Sequence, residues 1–233
     1  MPSGDSKRLR AHLAALRDIT RAISAAMSLD KILSLITTKT ARVMDMDSCS
    51  IYLLDDKGEY LVLKATTGLA AEAVGTARLR MGEGLTGHAA AEGKPIAAEN
   101  ASADPHFKYL PETGEKEFQS LLAAPLIVRG KVIGAINVQT RAGHAYRPDE
   151  VELLSIIADV AAGELEKAML YEEIGALKEA LETRKLIERA KGILMKRYAI
   201  GEQEAFERIH TQSRNARKSM RELAEAIILA EGV

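Results

Sequence analysis

SLLAAPLIVRGKVIGAINVQT, residues 120–140, is the stretch of sequence that decides the fold. It holds two apolar runs on either side of Arg129 and Gly130, rich in the β-branched residues that suit a half-buried pleated sheet. Two such runs joined by a short turn with a glycine indicate a β-hairpin. The pattern recurs in residues 48–65, where CSIYLL and YLVLKA are joined by a charged turn with a glycine. The sequence therefore predicts a core sheet of four or more strands.

Helical periodicity surrounds this sheet. Apolar residues at helical spacing predict one helix near the N-terminus and a second over residues 29–43, split near Met27. Between the hairpins, GLTGHAAAEG (84–93) is helix-like. Pro148 is followed by two acids, which is typical of a helix start because the helix dipole favours acids there. We predict one continuous helix over residues 148–198.

This long helix carries a coiled-coil seam with spacings of 4, 3 and 4, formed by Leu170, Ile174, Leu177 and Leu181. The N-terminal helix carries a similar stripe, so we predict that two copies of the chain pair as a four-helix dimer bundle. The alternative, a helix packed on its own domain, stays open. The seam is interrupted around residues 183–185, and the apolar face shifts beyond them.

The last fifty residues read as a small helical bundle. After Gly201 a second helix carries Ala205, Phe206 and Ile209 on one face, and a third helix follows. That third helix has a marked start, because Ser219 and Glu222 fit a capping box.

Charge is unevenly distributed along the chain. Eleven basic and four acidic residues lie between Arg184 and Arg221, an excess of seven positive charges in a chain of formal net charge -1. Phosphate groups are favoured partners of such a patch. The alternative is an ordinary solvated helical surface.

Composition narrows the class of protein. Hydrophobic residues make up 47% and charged residues 28%, as in an ordinary globular protein. No run of about 18 apolar residues occurs, so we predict no membrane span, and the N-terminus lacks a secretory pattern. Cys49 is the single cysteine, which rules out an intramolecular disulfide and fits a reducing compartment. We therefore expect a cytoplasmic protein.

Motifs for catalysis and for metal binding are weak. GEGLTG (82–87) lacks the Lys-Ser/Thr of a phosphate-binding loop. Cys49 lies on a predicted strand, where it reads as a small buried hydrophobe. His88, His106 and His144 lack metal-ligand spacing. We predict no catalytic residues, no metal and no cofactor, and hence no enzyme.

The first part of the chain resembles a GAF domain. The resemblance is carried by four blocks in order: SCSIYLLDDKGEYLVLKATTGL, RMGEGLTGHAAAEGKPIAAEN, SLLAAPLIVRGKVIGAINVQT and AYRPDEVELLSIIADVAAGELEKA. It implies a six-stranded antiparallel sheet, helices that form a dimer face, and a small-molecule pocket whose ligand is unidentified. Some members reduce methionine sulfoxide with a set of cysteines, whereas the single cysteine of this chain has no resolving partner.

The second part resembles the ANTAR module of transcription antitermination regulators. The resemblance is carried by RKLIERAKGILMKRYAIGEQEAFERIHTQSRNARKSMRELAEAII, with Gly201 where the family usually has a Ser or Thr cap. It implies an RNA reader that holds tandem hairpins in leader transcripts and so prevents a terminator from forming.

Together these features predict an α/β domain followed by an all-α domain, in which a helix-flanked GAF-type sheet precedes a coiled-coil helix and a three-helix bundle. We expect four segments: an N-terminal dimerisation helix (1–28), a GAF sensor (29–166), a coiled-coil linker helix (167–183) and an ANTAR bundle (184–233).

Ten residues are the candidates for RNA binding. Along the first helix of the bundle, suited to backbone contacts, are Lys185, Arg189, Lys191 and Lys196. At the junction of the last two helices, suited to reading loop bases, are Ser213, Arg214, Asn215, Arg217, Lys218 and Arg221.

The predicted function is an RNA-binding antiterminator, and two alternatives stay open. A basic helical bundle can also enter the major groove of DNA. A GAF-fold small-molecule enzyme is the other. The signal is equally open, with a pocket ligand, phosphorylation by a sensor kinase and constitutive dimerisation as the choices.

Overall fold

The computed structural model describes Arg17 and residues 28–231. The chain forms two compact units, Met1–Met169 and Leu170–Val233. The predicted dimerisation helix over 1–28 falls almost wholly outside the described residues and stays a prediction. No helix in the described part of the chain is long and apolar enough to cross a membrane.

The first unit is a six-stranded antiparallel sheet with helices, which confirms the predicted α/β class. Its strands are β1 (Ser48–Leu54), β2 (Tyr60–Thr66), β3 (Arg78–Arg80), β4 (Ile96–Ala98), β5 (Ser120–Val128) and β6 (Lys131–Thr140). They lie in the order β3-β2-β1-β6-β5-β4. Among residues 28–169, its α-helices are α1 (Leu29–Met44), α2 (Gly84–Glu92) and the first part of α3 (Pro148–Tyr198).

Both predicted hairpins are confirmed, and each has a turn suited to its residues. Arg129 and Gly130 both have positive φ, 51° and 77°, the backbone of the tight turns that match strand twist. In the β1–β2 turn, a carboxylate oxygen of Asp55 accepts hydrogen bonds from the N–H groups of Glu59 (2.8 Å) and Tyr60 (3.1 Å).

The sheet buries both of its faces. On one face α1 and α3 cover the strands, with Ile36, Ile51 and Leu154 fully buried. On the other face α2 and the connecting loops cover a cluster that includes Tyr52 and Leu63. We call this second face the loop side of the sheet.

The second unit contains the remainder of α3, then α4 (Glu202–Ala216) and α5 (Met220–Glu231). The predicted capping box at the start of α5 is confirmed. The N–H of Glu222 donates to the Ser219 hydroxyl (3.2 Å), and the N–H of Ser219 donates to the Glu222 carboxylate (2.7 Å). Gly201 is the N-cap of α4 and supplies no side-chain cap bond.

Candidate functional site

The candidate interface lies on the second unit, whose three helices meet around two alanines and an isoleucine. Ala190 of α3, Ile209 of α4 and Ala224 of α5 are at most 1% exposed. Leu194 and Ile228 pack around them, partly buried. Alanine in a helix interface allows close approach of the helices. Apart from Lys191, the charged residues of these three helices between residues 170 and 231 are not buried.

The eleven cations between residues 184 and 221 divide into two groups. Four are held in ion pairs with carboxylates: Lys185, Lys191, Arg208 and Arg221. Seven are exposed and make no ion pair with a residue in the described part of the chain: Arg184, Arg189, Lys196, Arg197, Arg214, Arg217 and Lys218. The second group offers uncompensated charge to a polyanion.

Three of the predicted backbone-contact residues share the outer face of α3. Lys185, Arg189 and Lys196 are spaced by 4 and 7 residues, so a helix of 3.6 residues per turn brings them onto one side. Gly192 lies between them, and its missing side chain faces open space. Lys185 pairs with Glu182 at 2.7 Å, but both groups are exposed and the pair is weak. This face is open to a nucleic-acid backbone.

Lys191 is the exception among the predicted backbone contacts. Its side chain is 8% exposed, and its Nζ lies 2.7 Å from Glu202 and 2.9 Å from Glu188. The Glu202 carboxylate first, and then that of Glu188, raises the pKa of Lys191, while Lys191 lowers the pKa of Glu202. The structure therefore directs this charge toward the start of α4 and not onto the outer face of α3.

The α4–α5 junction is a closed turn that displays polar side chains. Arg217 caps α4 in the left-handed conformation (φ 52°). The N–H of Lys218 donates to the Ser213 carbonyl (3.1 Å), and the Ser213 hydroxyl donates to the Lys218 carbonyl. Ser213 is thus occupied in closing the turn. The side chains of Arg214, Asn215, Arg217 and Lys218 are exposed around it.

Arg221 lies at the start of α5, next to this junction. Its Nε is 3.0 Å from Glu225, and its guanidinium also reaches Glu179 at 3.5 Å. The Glu225 carboxylate is the main cause of the raised pKa of Arg221. This predicted RNA contact is therefore partly compensated by acids, in contrast to Arg217 and Lys218.

Two aromatic positions of the second unit were not among the predicted site residues. Phe206 was expected on the apolar face of α4, yet it is 41% exposed while Ala205 is fully buried. Its ring lies 6.2 Å from that of His210, with 11° between the ring planes. The signal was present in the spacing, because neighbouring helix positions differ by about 100° and Phe206 falls at the edge of the buried stripe.

Tyr198, the last residue of α3, is the other aromatic position. It is 52% exposed, with the Arg208 guanidinium 5.1 Å and the Arg197 guanidinium 6.0 Å from its ring centroid. This is the geometry of cation–π contacts.

The predicted seam of α3 is uncovered in the single chain. The exposed fractions are 46% for Leu170, 46% for Ile174, 64% for Leu177 and 53% for Leu181. Every residue between 169 and 182 is exposed. Contiguous apolar stripes of this kind are typical of a surface that meets another protein.

In the first unit, polar side chains are buried on the loop side of the sheet. Strand pairing aligns Tyr52 with Ala135 and Ser50 with Asn137, so alternate residues of β1 and β6 face that side. Asn137 is 3% exposed and its Nδ2 donates to the Thr86 hydroxyl of α2 at 2.8 Å. Its Oδ1 is buried and accepts no hydrogen bond from the described part of the chain.

Gln139 and Glu115 extend this buried polar group. Gln139 is 2% exposed, and its Oε1 is likewise without a donor from the described residues. Burial raises the pKa of Glu115, although the Leu110 N–H (3.1 Å) and the Gln139 side chain both bond to its carboxylate. Burial, and then Glu115, raises the pKa of the neighbouring Tyr52. No sequence motif pointed to these residues, because the strand register decides which side chains share the loop side of the sheet.

The cysteine and two of the histidines that were considered for catalysis or metal binding are buried or lie beside a carboxylate. Cys49 is fully buried, and burial raises the pKa of its thiol, so the reactive thiolate is disfavoured. His106 pairs with Asp104 at 3.1 Å, and His144 with Glu150 at 3.2 Å. Across Arg17 and residues 28–231, no three His, Cys, Asp or Glu side chains are arranged to hold a metal ion.

Two family models match the chain. The model described as the GAF domain matches residues 26–166, and the model described as the ANTAR domain matches residues 175–228. Both resemblances inferred from the sequence are thereby confirmed.

Individual proteins agree with these matches. A GAF domain structure from a phosphoenolpyruvate-protein phosphotransferase of Coxiella burnetii is 31% identical, with a TM-score of 0.66, over 70% of this chain and 98% of that one. The phosphoenolpyruvate-dependent phosphotransferase system of Escherichia coli (strain K12) is 30% identical over 72% of this chain. The transcriptional regulatory protein PdtaR of Mycobacterium tuberculosis (strain CDC 1551 / Oshkosh) is 41% identical over 24% of it. The chain spans 22% and 27% of the lengths of these two curated relatives.

Proposed function

Since this chain belongs to the GAF domain family and carries an ANTAR domain after its GAF domain, we propose that it is a transcription antitermination regulator that binds RNA. In this proposal the ANTAR domain holds tandem RNA hairpins in a leader transcript. Holding the hairpins prevents the competing terminator from forming. The GAF domain controls that activity.

The seven exposed cations that pair with no acid in the described part of the chain carry this proposal. Each phosphate that a cation neutralises releases counterions, and the affinity then falls steeply with salt. An apolar partner would gain no such binding energy from this charged surface. The charge also lies within the ANTAR match and not in the sensor domain.

The two groups of cations suit different parts of a hairpin. Arg189 and Lys196, on the outer face of α3, are suited to the phosphates of a paired stem. Asn215, Arg217 and Lys218 project from the α4–α5 turn and are suited to a loop, where unstacked bases present their edges. Lys191 has a different role in this proposal: it fixes α4 against α3 through Glu202.

We further propose that the regulator is a homodimer that pairs through the seam from Leu170 to Leu181. Two tandem hairpins call for two ANTAR domains, and the exposed apolar seam supplies a contact between two copies. A C2 dimer uses the same stripe on both chains.

The signal received by the GAF domain is proposed to be a small molecule that offers N–H or O–H donors. The buried oxygens of Asn137 and Gln139 lack donors from the described residues, and an unpaired buried acceptor costs about 1–3 kcal/mol. Screening metabolites for a rise in melting temperature tests this proposal. A hit that stabilises Gln139→Leu as strongly as the wild type would contradict it. Phosphorylation by a sensor kinase is the competing signal.

We propose that the chain has no enzymatic activity and acts in the cytoplasm, where transcripts are made. A sulfoxide reductase needs a reactive thiolate, and burial suppresses that form of Cys49. Turnover of methionine sulfoxide by the wild type that is lost in Cys49→Ser would overturn the non-enzymatic assignment.

The proposed function is tested by transcription in vitro. A leader with two hairpins, selected for binding from a library with randomised loops, is placed ahead of a terminator. We expect the protein to increase read-through, and a leader with one hairpin deleted serves as the control. Read-through that is unchanged by saturating protein would refute antitermination.

A further inference from the structure

A groove in the second unit opens beside the α4–α5 junction. Its volume is about 650 Å³, within the range of pockets that hold a small organic ligand. Its apolar lining consists of Ala180, Ile187, Phe206 and Met220. Its charged lining includes Arg184 and Arg221. We call this feature the Phe206 groove.

Phe206 gives the groove an aromatic surface. The ring is 41% exposed although its neighbour on α4, Ala205, is fully buried. His210 lies one turn further along α4 with its ring nearly parallel. The sequence has no Trp and three Phe, and of the three it is Phe206 that lies within the cationic region. A flat apolar face of this kind is what an unstacked nucleobase contacts.

Two acids and two cations line the Phe206 groove, and one of the cations is available to an anion. Arg184 is exposed and has no ion pair with the described residues. The two carboxylates of the lining are both engaged, Glu179 with Arg221 and Glu188 with Lys191. Arg221 is shared with Glu225 and Lys191 with Glu202, so the lining has no net positive charge, and Arg184 is its cation that is left to meet a phosphate.

The position of the groove connects it to the proposed RNA contacts. Ser219, Met220 and Arg221 contribute to its lining, and these residues directly follow Arg217 and Lys218. The cations of the α4–α5 turn and the groove are therefore neighbours along the chain. Aromatic stacking beside cations that bind the backbone is the usual arrangement for unpaired nucleotides.

We propose that the Phe206 groove receives one unpaired base from the loop of a bound RNA hairpin. The base stacks on the Phe206 ring, and the flanking phosphates lie against Arg184, Arg217 and Lys218. This inference rests on the proposed RNA binding and adds a recognition site to it. Arg184 makes a second copy of the chain the less suitable occupant, because an apolar dimer contact would have to desolvate its guanidinium.

Two substitutions separate stacking from packing. Phe206→Leu keeps an apolar side chain but removes the aromatic face, whereas Phe206→Tyr keeps the face. With a selected two-hairpin RNA and the full chain, we expect Phe206→Leu to weaken binding at least about 5-fold, the lower end for loss of one base stack. We expect Phe206→Tyr to bind like the wild type. The slope of affinity against salt should stay unchanged in Phe206→Leu, because no phosphate contact is lost.

A fluorescent base locates the contact directly. The same RNA carries 2-aminopurine at one loop position at a time, and stacking on an aromatic ring quenches its emission. We expect quenching at one loop position with the wild type and with Phe206→Tyr, and its loss with Phe206→Leu. Melting curves and circular dichroism establish that each variant is folded.

The outcomes distinguish this inference from the proposed function. If the wild type binds no two-hairpin RNA, RNA binding itself is refuted, and the groove proposal falls with it. If the wild type binds and Phe206→Leu keeps its affinity and quenching, the groove proposal alone is overturned. Dissociation of a dimer by Phe206→Leu would also overturn it, since a second copy would then occupy the groove.

Discussion

Replacing Leu177 by Asp tests the seam that α3 exposes. Leu177 is the most exposed of the four seam residues, at 64%, so the change removes little packing within the single chain. In the proposed dimer, both copies of residue 177 lie in the contact between the two helices. The substitution therefore acts on association and leaves the fold of each chain intact.

The size of the effect follows from the exposed fraction. Burying a whole Leu side chain is worth about 1.5–3 kcal/mol, so the uncovered part of Leu177 accounts for about 1–2 kcal/mol per chain. A symmetric dimer contains the residue twice, which gives about 2–4 kcal/mol. At 1.4 kcal/mol per factor of ten, the dimer dissociation constant rises roughly 30- to 700-fold. Desolvation of two carboxylates adds to this loss.

Sedimentation velocity over a concentration series measures the change, and circular dichroism checks that the helices remain. Ala176→Asp is the matched control, because it adds the same charge at an exposed position of the same turn, away from the seam. We expect Ala176→Asp to dimerise like the wild type. Equal dissociation constants for Leu177→Asp and the wild type would refute the seam as the dimer contact.

Further predictions concern the RNA contacts, the cap of α5 and the pKa values of two carboxyl groups. Arg217→Ala or Lys218→Ala should weaken RNA binding and reduce the salt slope by about one, with helicity unchanged; an unchanged affinity and slope would exclude these side chains. Ser219→Ala should destabilise the second unit by about 1 kcal/mol in denaturant unfolding, since it removes the cap of α5. Hydrogen bonds from Ser219 lower the pKa of Glu222 in the folded chain. The stability that Glu222 contributes is therefore complete above its unfolded pKa of about 4.3 and is lost as the pH falls through its folded pKa. Glu222→Gln should reduce this dependence of stability on pH. Burial raises the pKa of Glu115, so its contribution has the opposite sign and is lost as the pH rises through the folded value. Glu115→Gln should accordingly raise the melting temperature of the first unit at alkaline pH, with a smaller difference in acid.

Local patterns were sufficient for much of the fold. The turn at Arg129 and Gly130, the start of α3 at Pro148 and the capping box at Ser219 depend on neighbouring residues only. Each of these features depends on interactions between residues close in sequence, and a sequence pattern can predict such interactions directly.

Long-range contacts could not be predicted in the same way. Strands β3 and β4 have three residues each, too few for a period to appear, and only pairing with β2 and β5 defines them. The burial of Lys191 depends on Glu202, eleven residues away on another helix. The polar group around Asn137 depends on the register of β1 against β6, which no local pattern specifies.

Titration of the full chain with a two-hairpin RNA and with duplex DNA of matching stem sequence, at one salt concentration, tests the central claim most directly. The account predicts tighter binding of the RNA, weakened by Arg217→Ala. Equal or tighter binding of the duplex DNA would contradict it and would favour a DNA-binding regulator.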